Sequence, residues 1–244
     1  MKKILLALII ASALLGGCVS VSIGGGTGAG GLRGTGDMVT IPVETGSFNG
    51  IDISGGYTIV YRHAPQNALT VVIQQNLFER MDFSVENDVL RISSDVGFNT
   101  TPANIPRLYV YSPALELVAL SGAAELTGDA ISANTFTLVT AGASDVTLEL
   151  DVGTLTVTLA GAASLELSGQ ADTLSLTAAG ASDVRAGALS TRIANIDVSG
   201  AGNVIVAASE LLDATITGAG SVRYIGDPQV SYRTFGAGSV SRVG

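Results

Sequence analysis

One histidine and one cysteine stand among 244 residues, so the side chains able to do chemistry are few. His63, in Tyr61-Arg62-His63-Ala64-Pro65, is the only imidazole and reads as a loop histidine before a proline turn. Without a second imidazole no Ser/His/Asp or Cys/His triad can be assembled elsewhere. Carboxylates are the remaining candidates. Asp145 and Asp183 occupy the same position of an internal repeat, two repeats apart. Stacked as coils, their backbones would stand about 9.6 Å apart, at the upper edge of the roughly 6.5–9.5 Å of an inverting glycosidase pair. Ser164 falls between them, however, and the position is otherwise Glu125, Asn203, Ser221 and Ser239. A ladder of side-chain hydrogen bonds explains such a column more simply than catalysis. Calcium wants about six to eight oxygens, and one carboxylate per one or two coils is too sparse. Glu125 with Asp129, and Glu149 with Asp151, read as solvated acids at strand ends. We therefore expect no enzyme, no metal and no other cofactor.

Cys18 is different, because its surroundings give the thiol a purpose. Lys2 and Lys3 precede an apolar run from Ile4 to Leu15, too short to span a hydrocarbon core of about 30 Å as a helix. Residues 1–17 thus read as a signal peptide. Leu15-Gly16-Gly17-Cys18 resembles a bacterial lipobox, in which the thiol is alkylated by a diacylglyceryl group and cleavage leaves the cysteine as first residue. Each buried CH₂ of the acyl chains adds about 0.8 kcal/mol of membrane affinity. Val19 rather than Asp follows, so an enterobacterial inner-membrane retention signal is absent and the outer membrane is favoured. Cleavage removes both lysines, which excludes a Schiff-base or lysine general-base mechanism.

Residues 18–36 comprise this cysteine and a glycine-rich stretch, VSVSIGGGTGAGGLRGTG. Such chain resists ordering and reads as a flexible tether with an end-to-end distance on the order of 23 Å. No lysine and no helix follows the glycines, so a phosphate-cradling loop is disfavoured. The formal net charge of −9 argues against a nucleic-acid partner, which needs a clustered basic face.

From residue 119 to 244 the chain repeats. A glycine followed by alanine recurs at Gly122, Gly142, Gly161, Gly180, Gly200, Gly218 and Gly236, at spacings of 18 to 20. The second position after each glycine is Ala, Ser or Gly, the third is polar and the fourth is Leu or Val. Between these corners the sequence alternates apolar and polar, as in Val146-Thr147-Leu148-Glu149-Leu150, the signature of half-buried strands. The alanine column is expected to point into a tight bend, so Ala181→Leu should destabilise. Propeller blades need about 40 residues, and outer-membrane barrels need strands of about 9–11 residues with aromatic girdles. A parallel β-helix of one coil per repeat fits best. The expected fold is all-β: a single-stranded right-handed parallel β-helix with 18–20 residues per turn.

Residues 37–118 are strand-rich but irregular. Phe48–Gly55 and Tyr57–Tyr61 flank a Gly-Gly corner, Leu69–Gln74 is a third strand, and Asn76–Met81 forms a helical turn. Phe83–Val85 and Val89–Ile92 flank an Asn87-Asp88 hairpin turn, and Arg107–Tyr111 is a further strand. This region reads as the first, decorated coils of the same solenoid, with a separate domain as the alternative.

Those residues carry a resemblance. Phe48-Asn49-Gly50-Ile51-Asp52-Ile53-Ser54-Gly55, Val85 to Ile92, Pro113-Ala114-Leu115 and Ser121-Gly122-Ala123 resemble the GIN head-domain family, named for "putative auto-transporter adhesins" of the bacterial envelope. The resemblance covers about residues 40–240 and implies a right-handed parallel β-helix; it brings no catalytic residues. Two functions follow as expectations. One is a lipid-anchored envelope module, probing a glycan or a protein with Thr/Ser-rich faces. Tyr57, Tyr61, Tyr109 and Tyr111 are candidate stacking platforms there, half of them expected in the core. The other is a scaffold that self-associates through the solenoid end, where Tyr224, Tyr232 and Phe235 cluster. A polysaccharide-degrading β-helix is the enzymatic third.

Overall fold

The computed structural model describes residues 31–243; residues 1–17, read as a signal peptide, Cys18 and residues 19–30 lie outside the described residues. The end of the stretch read as tether is not free chain. Leu32–Arg33 form strand β1, which pairs in parallel with Phe98–Asn99. Asn76 fastens the segment, its Nδ2 donating to the Arg33 carbonyl at 2.9 Å and its Oδ1 accepting from the Thr35 N–H at 2.9 Å. Glycine content alone could not reveal this partner, which lies some forty residues away.

The next elements are β2 (Met38–Val43), β3 (Gly50–Ser54), β4 (Thr58–His63), β5 (Ala68–Gln74) and a one-turn helix α1 (Gln75–Phe78). They are followed by β6 (Met81–Glu86), β7 (Val89–Ser94), β8 (Phe98–Asn99) and β9 (Arg107–Ser112). Asn87 and Asp88 turn the β6–β7 hairpin with φ of 53° and 63°, the left-handed pair of a type I′ turn. Only part of this region is coil. β3 and β4 pair in parallel with β7 and β9 on one side. The strands β2, β5 and β6 instead run antiparallel, β2 on β5, β5 on β9 and β6 on β7.

The repeats follow as β10 (Leu117–Gly122), β11 (Glu125–Gly128), β12 (Ile131–Gly142), β13 (Asp145–Gly161), β14 (Ser164–Gly180) and β15 (Asp183–Gly200). The last are β16 (Asn203–Gly218), β17 (Ser221–Ile225), β18 (Gln229–Gly236) and β19 (Ser239–Arg242). All pair in parallel with the coil before and after, giving a parallel β-helix of about seven turns. β10 and β11 stack on β3 and β4. The coil made from residues 50–63 therefore lies between the one made from 89–112 and the first repeat, and chain order is not stacking order. One core runs throughout, from Ile51 and Ile59 to Ile216 and Val222.

Each coil turns inward twice. In β13, Val146, Leu148, Leu150 and Val152 are buried, the phase breaks, and Leu155, Val157 and Leu159 are buried in turn. One break is the Gly-Ala corner. Its glycines have φ between +111° and +129°, a region costly for any residue with a Cβ. A Cβ on Gly142, Gly161, Gly180 or Gly200 would also stand 2.3–2.4 Å from the carbonyl oxygen of the preceding corner glycine. That oxygen accepts the N–H of the alanine one coil on, as Ala181 to Gly161 at 2.9 Å. Gly55, with φ +137°, begins the same column below Gly122.

The alanine column does not fill the bend. Ala143, Ala162, Ala181 and Ala201 are exposed, and the inward residue is the next one: Ala124, Ser144, Ala163 and Ser182, all at 4% exposure or less. Positions two and four after the glycine share the inward phase, which the aliphatic fourth position already fixed. The column narrows to glycine from Gly202 onward, and at Gly220 a Cβ would meet Val198 Cγ1 and the Gly202 carbonyl oxygen, each at 2.7 Å.

Candidate functional site

The carboxylate pair is separated as the repeat spacing predicts, and nothing draws it together. Asp145 stacks on Ser164 and Ser164 on Asp183, and Asp183 is bound by Arg185 at 2.6 Å. Two steps of the column carry the expected side-chain bond: Ser221 Oγ donates to Asn203 Oδ1 at 2.7 Å, and Thr58 Oγ1 to Glu125 Oε2 at 3.4 Å. Asp129, read with Glu125 as a solvated acid at a strand end, is engaged by the β4 coil. It accepts from the His63 N–H at 3.0 Å and pairs with Arg62 at 2.8 Å. The His63 N–H first, and the Arg62 hydrogen bond second, hold its carboxyl below the usual range. His63 thus serves through its backbone. Glu149 stays exposed, whereas Asp151 accepts from Gln170 at 2.7 Å. No group of three or more metal-ligating side chains occurs among the described residues.

The four tyrosines divide in two. Tyr57 and Tyr61 are core residues, each 1% exposed. The Tyr61 hydroxyl donates to the Ser112 carbonyl at 3.2 Å. Burial, and then the Asp129 charge, raise its pKa; burial also raises that of Tyr57, against a smaller lowering from Ser94. Tyr109 and Tyr111 stand on the opposite phase of β9 and are half-buried. At the far end, Tyr232 and Phe235 on β18 are 58% and 61% exposed, and Ile225 on β17 is 40% exposed; Tyr224 is partly buried against the core.

A concavity lies at another corner of the coil, away from the Gly-Ala column. It is a trough of about 810 Å³ running across β12 to β17. At about 4.8 Å per step, five steps give a length on the order of 24 Å. Two outward columns form its walls. Ser132, Asp151, Gln170 and Ser190 align along one side. Asn134, Gly153, Asp172 and Arg192 follow two positions later along the other. Between them the inward residues Val152, Ala171, Thr191 and Ala208 form a floor one residue wide. A Cβ on Gly153 would stand 2.8 Å from the Asn134 carbonyl oxygen, so the wall dips there.

Changes of coil length shape the trough. Between Ala186 and Ser190 the β15 coil takes four steps where β16 takes one, from Val206 to Ala207; β16 regains one residue at Ser209–Glu210. Such bulges re-aim side chains and gather at functional sites. Carbonyls near these irregularities are engaged by hydroxyls: Thr191 Oγ1 donates to Ala207 O at 2.5 Å, and Ser209 Oγ to Thr191 O at 3.3 Å. Arg192 is held by Glu210 at 2.7 Å. The one signal in the sequence was the drift of repeat spacing from 19 to 20 and then 18 across Gly161, Gly180, Gly200 and Gly218.

A family model described as "Putative auto-transporter adhesin, head GIN domain" matches residues 47–228. Among solved structures, a putative adhesin from Bacteroides fragilis superposes with a TM-score of 0.81 at 21% identity, covering 87% of this chain and 100% of its own. A putative lipid binding protein from Parabacteroides distasonis gives 0.67 at 22% identity, covering 87% and 99%. A putative adhesin from Parabacteroides merdae gives 0.67 at 18%, with the same coverage. At these identities the likeness is one of fold. No curated protein is significantly similar to the chain.

Proposed function

The chain belongs to the head GIN domain family of putative auto-transporter adhesins, and from that membership we propose a non-catalytic, lipid-anchored protein of the bacterial envelope. Its β-helical head engages a glycan or an envelope protein. Cys18 carries the acyl chains, the glycine-rich stretch after it spaces the head from the bilayer, and the outer membrane is the site of anchoring. The observation that carries the reading is the stack itself. Polar side chains recur on the outer columns at every coil, about 4.8 Å apart, which suits a repetitive or extended partner. Asp145 and Asp183, kept apart by Ser164 with Asp183 bound to Arg185, favour recognition over hydrolysis.

Protease shaving of intact cells tests this, with Cys18→Ala as the control. We expect the wild type in the membrane fraction and cleaved on intact cells, and Cys18→Ala released from the membrane. Protection until the outer membrane is breached would refute adhesion and favour a periplasmic scaffold. A Cys18→Ala protein that stays membrane-bound would refute the lipid anchor. Self-association is the second reading, favoured by exposed Tyr232 and Phe235 on the last described coil; a mass independent of protein concentration would exclude it.

A further inference from the structure

We infer that the trough across β12 to β17 is a binding subsite for a neutral, linear polysaccharide lying along the helix axis. The inference rests on the reading of the chain as a binding head, and adds to it a place and a ligand chemistry.

Size and shape come first. About 810 Å³ falls within the roughly 300–1,000 Å³ of ligand sites, but this site is an open channel on the order of 24 Å long. It suits a segment of polymer better than a compact metabolite. The walls present planar groups with paired hydrogen-bonding atoms: the amides of Asn134 and Gln170, the carboxylates of Asp151 and Asp172, and the guanidinium of Arg192. Such groups bridge neighbouring hydroxyls of a sugar ring, each atom taking one hydroxyl. Two are already fixed, Gln170 by Asp151 and Arg192 by Glu210, which lowers the ordering cost of binding.

The alternatives fit less well. An extended peptide recognised by strand addition needs an unpaired sheet edge, whereas the strands under the trough are paired coil to coil. A peptide strand also repeats its side chains on one face every 6.6 Å or so, out of step with walls that repeat once per coil. A polyanion meets Asp151 and Asp172 with Arg192 already neutralised by Glu210, on a chain of net charge −9; repulsion disfavours it. An acyl chain would find a floor only one residue wide between polar walls. No aromatic ring lines the trough, so each sugar contact is weak and affinity must accumulate along several rungs.

The test is native affinity electrophoresis of the detergent-solubilised full chain. The gels contain hydroxyethyl cellulose, laminarin or galactomannan as neutral polymers, and polygalacturonate as the anionic one. Two trough variants, Asn134→Ala with Asp172→Ala, and Ser190→Trp, are compared with Asp145→Asn outside it. We expect at least one neutral polymer to retard the wild type and Asp145→Asn equally. Both trough variants should bind roughly tenfold more weakly while keeping the wild-type circular dichroism. The inference is overturned if no neutral polymer retards the wild type, if polygalacturonate retards it most, or if the trough variants migrate as the wild type does. In each case the binding-head reading survives and is decided by shaving. New reducing ends in the retained polymer would instead sink the binding-head reading itself.

Discussion

The corner Gly161-Ala162-Ala163 allows one substitution to be made twice, at adjacent alanines with opposite surroundings. Ala162 is exposed and Ala163 is 4% exposed. Leucine at 163 must fit three extra carbons into a bend stacked between Ser144 and Ser182, at about 1–3 kcal/mol for overpacking. Leucine at 162 projects into water and should stay within about 0.5 kcal/mol of wild type. Gly161→Ala should be worst. Its φ of +123° costs an L-residue about 1–3 kcal/mol. The new Cβ would stand 2.4 Å from the Gly142 carbonyl oxygen, which already accepts the Ala162 N–H at 2.9 Å. Loosening that bond costs about 1 kcal/mol more. For a chain of this size 1 kcal/mol shifts Tm by about 2–4 °C. Thermal unfolding followed by circular dichroism should therefore rank Gly161→Ala lowest, Ala163→Leu next and Ala162→Leu beside wild type. If Ala162→Leu falls as far as Ala163→Leu, the inward phase assigned to the second position after the glycine is wrong.

Two further outcomes follow from single side chains. Thr140 is 1% exposed in a column otherwise filled by Leu120 and Leu159, and its hydroxyl has no partner; Thr140→Val should stabilise by about 1 kcal/mol, read as a higher urea midpoint with unchanged m-value. The Asp129 carboxyl is held below its ordinary pKa by the His63 N–H and Arg62. Its contribution to stability is complete above an unfolded-state pKa of about 4 and is lost as pH falls through the lower folded value. The Asp129→Asn variant should thus lose less stability than wild type on acidification below about pH 4, in denaturant titrations at stepped pH.

The repeat was legible because a coil applies the same constraints at every turn. The corner glycine answers to both a positive φ and a carbonyl one coil away, so it recurs without exception. The aliphatic fourth position answers to the core. The alanine after the glycine is just as constant, yet constancy did not mean burial: its N–H is held by the preceding coil while its methyl faces water. Alternation counted back from the aliphatic position would have placed the second residue inward and the alanine outward. The coil of residues 50–63 was harder to read because its successor lies 67 residues on, Gly50 beside Leu117 and Thr58 beside Glu125. An insertion holding antiparallel β5 and β6 hides that register from any search for a short period.

The trough was illegible for the complementary reason. A core column must repeat its residue type, whereas a recognition surface must vary it, so Ser132, Asp151, Gln170 and Ser190 share a register but no pattern. What the sequence does carry is the irregular spacing, and irregular spacing in a solenoid has to be absorbed at a corner. The Gly-Ala corner cannot absorb it, since a residue inserted there would break the glycine stack. The other corner can where its outward residues carry side chains, although its own glycines, Gly169 at φ +99° and Gly226 at φ +108°, lie against the carbonyls of Leu150 and Ala208. The places where a β-helix departs from its period are thus the places where its surface is free to become specific, and here the two departures between β15 and β16 reach the trough at Ser190, Thr191 and Ser209, while the one between β14 and β15 at Glu166–Ser168 lies outside it.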